Sequence, residues 1–131
     1  MKRLALNRRT LLAALGLAPV AATARAAAPA RAPVKLLWTR VNGEAYYQAA
    51  KAAATLAVGD PVRLRREPTN AYDKRAIEVF DTAGRKLGYV ARMDNSAVAR
   101  MMDAGEHFQA RVSRLDRATL DIRLDVEWLP G

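Results

Sequence analysis

The chain has 131 residues, is 51% hydrophobic, and carries 22 basic against 13 acidic residues for a formal net charge of +9. That length holds one domain, the absence of cysteine excludes disulfides and thiolate metal sites, and a single histidine, His107, provides no ordinary zinc ligand set. The charge is uneven: Lys2, Arg3, Arg8, Arg9 and Arg25 take 5 of the 22 basic residues, which leaves 17 against 13, a net +4, for a moderately basic remainder suited to an anionic partner.

Met1 to Arg9 is short and basic, Thr10 to Ala24 is uncharged and mostly apolar, and Thr23 to Ala28 offers small-x-small cleavage sites. The apolar run is shorter than the ~20 residues that a membrane span needs. This three-part layout predicts a signal peptide over 1–28, and Asn7-Arg8-Arg9-Thr10-Leu11-Leu12 resembles the twin-arginine export motif. Export, with a periplasmic destination, is the expectation; the alternative is a domain tethered to the membrane by an uncleaved N-terminal segment. Residues 29–34 read as an extended, proline-containing spacer.

The domain is expected over 35–131. Lys35 to Val41 has strand character, with Leu37, Thr39 and Val41 on one face and Leu36, Trp38 and Arg40 on the other. The alanines between Glu44 and Leu56 predict a short helix or helical turn. Gly59-Asp60-Pro61 is a turn, and Val62 to Arg66 is a strand with Val62 and Leu64 inward. Ala76 to Phe80 and Lys86 to Val90 pair through a hairpin in which Gly84 takes a positive φ.

Asp94 or Asn95 is expected to cap a helix that runs to about Asp103, stops at Gly105, and buries Val98, Met101 and Met102. Phe108, Ala110 and Val112 alternate with polar residues, as do Leu120, Ile122, Leu124, Val126 and Trp128. These are half-buried antiparallel strands. The sum is a mainly β domain: a small, partly open six-stranded β-barrel with one or two short helices.

The stretch with most chemistry is Arg66-Glu67-Pro68-Thr69-Asn70-Ala71-Tyr72-Asp73-Lys74-Arg75-Ala76-Ile77, followed by Leu87-Gly88-Tyr89-Val90. Together with Gly43-Glu44-Ala45-Tyr46-Tyr47, this order closely resembles the HIRAN domain, over about Val41 to Val112. The resemblance implies an OB-like barrel. HIRAN domains of fork-remodelling helicases hold the 3′ end of single-stranded DNA in a pocket built from an Asn-x-Tyr-Asp turn, here Asn70, Tyr72 and Asp73, and a Gly-x-x-Tyr-Tyr segment. In that segment Tyr46 would contact a base or strand end and Tyr47 would belong to the core. Ala45 stands where those helicases carry arginine, Ala71 replaces a common proline, and Tyr89 stands where they often have histidine.

Read from the residues alone, Asn70 and Asp73 are also the types that close a turn by bonding nearby amides. Arg63 and Arg65 share one strand face, where exposed arginines are routine, and Lys74, Arg75 and Arg92 are placed to join the same groove. Cations interleaved with Tyr46, Tyr72 and Tyr89 match the composition of a single-strand groove, where stacking contributes roughly 1–3 kcal/mol per base. No phosphate-binding loop is present and His107 has no nucleophile motif beside it, so the reading is a non-catalytic module with no cofactor or metal. The zinc and hydrolase functions of large HIRAN-containing helicases belong to modules that this sequence does not carry. The expected partner is single-stranded DNA or a DNA end; the alternative is an exported protein that binds a periplasmic protein or ligand on the same scaffold.

Overall fold

Alternation of apolar and polar residues makes the most extensively paired strands, with one register shift between Val112 and Arg114. β5 (His107–Asp116) and β6 (Asp121–Leu129) run antiparallel from the pair His107–Leu129 down to Asp116–Asp121. Ala110, Val112, Ile122, Leu124 and Val126 all point inward and are buried. Leu120 departs from the expected run. It sits in the connecting turn with φ 55°, so the strand begins one residue later. Asp116 forces that turn, its carboxylate accepting the N–H groups of Ala118 and Thr119 at 3.0 and 3.3 Å. This computed structural model describes residues 31–131; the expected signal peptide and the first residues of the spacer lie outside the described residues.

The remaining strands are β1 (Val34–Asn42), β2 (Pro61–Arg66), β3 (Ile77–Phe80) and β4 (Lys86–Val90). They complete a ring in the order β1-β4-β3-β2-β5-β6, so the barrel is closed rather than partly open. Closure depends on β1 serving two neighbours. Its residues up to Arg40 pair with β6, and its last two, Val41 and Asn42, pair with Val90 and Tyr89 of β4. Gly88 makes that short seam possible, because a Cβ there would run into the carbonyl oxygen of Asn42 and press on Val41. Ile77, Leu87, Ile122 and Leu124 are fully buried inside the ring, each worth about 1.5–3 kcal/mol over exposure.

The Glu44 to Leu56 segment forms a 3-10 turn (Glu44–Tyr46) and then α1 (Ala49–Ala53), whose Ala49, Ala52 and Ala53 are buried. Small side chains let this one-turn helix lie close against the core. Arg117 closes its C-terminal end by donating to the carbonyls of Ala53 and Leu56 at 2.9 and 2.7 Å.

α2 (Asn95–Asp103) follows a 3-10 turn over Arg92–Asp94. Gly105 (φ 93°) ends it, the N–H groups of Gly105 and Glu106 reaching the carbonyls of Met102 and Met101. Val98 and Ala99 are its buried apolar residues, with Met102 packed against the core. Neither Asp94 nor Asn95 caps it by side chain. Asp94 instead accepts the hydroxyl of buried Thr39 at 2.8 Å, and Asn95 is used elsewhere.

Candidate nucleic-acid interface

The turn between β2 and β3 is braced from within and from below. Asn70 Oδ1 accepts the N–H groups of Tyr72 and Asp73 at 2.9 and 3.0 Å, and Asp73 Oδ1 accepts that of Arg75 at 2.9 Å. Arg66, a residue the sequence gives no reason to single out, is the brace below. Its guanidinium donates to the carbonyls of Ala76 and Lys74 at 2.6 and 2.9 Å and pairs with Asp103 of α2. With its backbone fixed on both sides, the turn presents Tyr72 to solvent, 89% exposed.

Asn95 is the second residue that local reasoning misplaces. It is buried, and its Nδ2 donates to Asp73 Oδ2 at 2.7 Å, joining the start of α2 to the turn. Burial alone pushes the Asp73 carboxyl up, but the Arg75 amide, the Asn95 side chain and nearby Arg92 outweigh it and hold the group below its ordinary value. Asp73 is therefore ionised and oriented at neutral pH. Each of its oxygens has spent one acceptor direction on the protein, which leaves the others for a ligand donor.

Beside the turn lies a cavity of about 270 Å³. Tyr46, Asn70, Tyr72 and Asp73 line it from the two loops, and Tyr89 and Arg92 from β4 and the segment after it. Six of the predicted site residues thus converge. Tyr46, like Tyr72, is exposed (87%), so two aromatic faces stand free at its rim. Tyr47 lines the same cavity instead of entering the core, its ring packed edge-on against Tyr89 with centroids 5.7 Å apart.

An ordered network supports Tyr89. Its hydroxyl donates to Glu67 at 2.8 Å and accepts from Lys86 Nζ at 2.8 Å, and Lys86 also reaches Glu78 at 3.1 Å. Lys86 Nζ lies 4.2 Å from the ring centroids of both Tyr47 and Tyr89, a double cation–π contact. Burial pulls the Lys86 pKa down, but the Tyr89 and Glu78 bonds win and lift it to about 12. On Tyr89 burial acts the other way and, against the opposing Lys86 ammonium, raises the phenol above its ordinary value.

Three predicted residues fall outside this cavity. Lys74 lines an adjoining one of about 400 Å³, together with Arg75, Arg92, Tyr72 and Asp73. Arg63 and Arg65 line a separate depression with Phe80. Arg65 is already engaged there: it pairs with Glu78 at 2.6 Å and lies over the Phe80 ring at 4.9 Å. Among the described residues no group of His, Asp or Glu is arranged to hold a metal, and no helix is long and apolar enough to cross a membrane.

A closed, OB-like six-stranded barrel with an aromatic cavity beside one braced turn defines a small β-barrel binding module. The HIRAN domain model matches residues 36–128, and the chain belongs to that family. The match extends beyond the 41–112 span that carries the motifs, taking in β1 and β6.

The crystal structure of a protein from Lactobacillus plantarum superposes with a TM-score of 0.73 at 37% identity, covering 76% of this chain and 98% of that one. The crystal structure of the HIRAN domain of human HLTF gives a TM-score of 0.60 at 26% identity, covering 70% and 73%. The mouse helicase-like transcription factor is 48% identical over 42 residues, 32% of this chain. That alignment takes in only 4% of the mouse protein, so the likeness there is to one small portion of a far longer chain. Similarity to HIRAN domains supports a nucleic-acid-interacting, non-enzymatic module in general terms.

Proposed function

We propose that the domain binds single-stranded DNA by its 3′ end, without catalysis of its own. The observation that carries this reading is the cavity that gathers Tyr46, Asn70, Tyr72, Asp73, Tyr89 and Arg92 from three separate stretches of sequence. Exposed Tyr46 and Tyr72 are the stacking platforms for bases. A carboxylate repels phosphate, so Asp73 makes sense against a donor, and a terminal sugar hydroxyl is the donor that a free 3′ end supplies. Arg92 offers the compensating charge for the backbone.

Arg63 and Arg65 are outlying contacts, reached only by a longer strand. The test is fluorescence anisotropy with a short labelled oligonucleotide, its 3′ hydroxyl free or blocked by phosphate. Tighter binding of the free end is expected; equal binding of both removes the strand-end pocket.

A second reading keeps the scaffold and changes the ligand: an exported protein that binds a periplasmic protein or small molecule. Ala45, exposed beside Tyr46 and lacking the arginine of the helicase-type domains, favours it. Under this reading neither oligonucleotide binds. Export itself is proposed from the N-terminal layout, and cell fractionation should recover a periplasmic form shortened by roughly 26–28 residues. Full-length protein in the membrane fraction would instead establish the tether.

A further inference from the structure

Tyr72 lines two concavities. One is the aromatic cavity of the proposed strand-end site; the other is larger and is lined also by Lys74, Arg75 and Asn95, with Tyr72, Asp73 and Arg92 common to both. The second has a different character. Lys74, Arg75 and Arg92 are all exposed, and none has an ion-pair partner among the described residues. Of the 14 other basic side chains among the described residues, Lys35, Arg40, Arg65, Arg66, Arg85, Lys86 and Arg123 each hold a carboxylate and the other seven do not, so what sets this cavity apart is that three unpaired cations share one concavity. The one acid at this cavity, Asp73, is occupied by the Arg75 amide and by Asn95. Three cations against one carboxylate leave the concavity positive.

We propose that this second cavity is an anion subsite for a backbone phosphodiester, held by Lys74 and Arg75 with Arg92 between the two cavities. The proposal rests on the single-strand reading above and adds a path to it. A base stacked on Tyr72 carries its sugar over Asp73, and the adjoining phosphodiester falls on the far side of the ring, where the unpaired cations are. Arg66 gives those cations a fixed platform, because it bonds the Lys74 carbonyl and the Ala76 carbonyl directly under them. The strand then runs from the Tyr46 side, across Tyr72, and leaves over Lys74 and Arg75.

The experiment compares two labelled oligothymidylates, one wholly native and one with a neutral methylphosphonate at the 3′-terminal linkage, each prepared with its 3′ end free and with it blocked by phosphate. Each is titrated against the full chain and against the Lys74→Gln/Arg75→Gln variant. The wild type should lose roughly tenfold in affinity on the neutral linkage, as expected for losing charge-assisted hydrogen bonds. The variant should lose a similar factor on native DNA and almost nothing further on the neutral probe.

If the variant keeps native affinity, or weakens on both probes with the wild-type ratio intact, the subsite is wrong although the strand-end site stands. A wild type that ignores a blocked 3′ end yet keeps the linkage effect removes the strand-end reading and retains the subsite. Failure of the wild type to bind either probe removes both. Loss of the linkage effect only when the 3′ end carries a phosphate would reassign the cavity to a terminal phosphate and overturn the backbone assignment.

Discussion

Arg66 and Arg75 serve the same turn in opposite ways. Arg66 is largely buried, bonds two carbonyls of the turn, and pairs with Asp103 on α2. Arg75 gives the turn only its backbone N–H and leaves its side chain exposed and unpaired among the described residues. The pair separates what holds the site from what is free to meet a ligand. Fixing the turn from beneath holds its backbone while Tyr72, Lys74 and Arg75 stay exposed, so the backbone has little conformational entropy left to lose on binding.

The largest effect should come from breaking the scaffold side. Gly88→Ala places a methyl group against the Asn42 carbonyl at the β1–β4 seam, and a cost of about 3 kcal/mol or outright misfolding should appear in urea denaturation. Arg66→Ala should cost about 1–3 kcal/mol in the same assay, since it strands the part-buried Ala76 carbonyl, whereas the exposed Lys74 carbonyl and Asp103 carboxylate regain water. It should also weaken DNA binding, because the platform loosens.

Tyr72→Ala belongs to the other side of the comparison. It should reduce oligonucleotide affinity by about 1–3 kcal/mol while moving stability by less than about 0.5 kcal/mol. Equal losses of both quantities would show that the rim is part of the brace after all.

The Asp73 carboxyl gives a pH test. Its folded pKa lies below the ordinary 3.8, so its stabilising contribution is complete above that value and disappears as pH falls through the folded pKa. Acid titration of stability should therefore be less steep below pH ~4 in Asp73→Asn than in the wild type. The smallest effect is expected at Arg63→Gln, which lies in the separate depression. It should leave the affinity of a short probe within about twofold and lower the salt slope on a longer one by no more than about 0.7.

Much of the barrel was legible locally. Alternation in β5 and β6, the Gly84 hairpin and the Gly105 stop are properties of a few consecutive residues, and the chain adopts them as read except at Leu120, which falls in the turn. The errors fall where a side chain had two possible employers. Asp94 and Asn95 are good cap types, but Thr39 and Asp73 claimed them. The family resemblance put Tyr47 in the core, yet it lines the cavity with Tyr89, and Lys86 lies against both rings.

The candidate site was half legible in the same sense. The turn residues and the tyrosines could be named from their order, whereas which cations stand beside them could not. Arg63 and Arg65 alternate on one face as the strand period requires, but whether a cation is free depends on what lies opposite it on the next strand. Glu78 on β3 lies opposite Arg65, and β2 carries the pair away from the aromatic cavity.

By itself the sequence determined the period-2 strands, the turns, the basic balance and the family motifs, all of which depend on neighbours within a few positions. Tertiary structure alone decided the closure of the ring through β1 and Gly88, the brace from Arg66 to Asp103, and the link from Asn95 to Asp73. Each joins residues from different elements, and such pairings are chosen by the packing of the whole barrel, which no local pattern records.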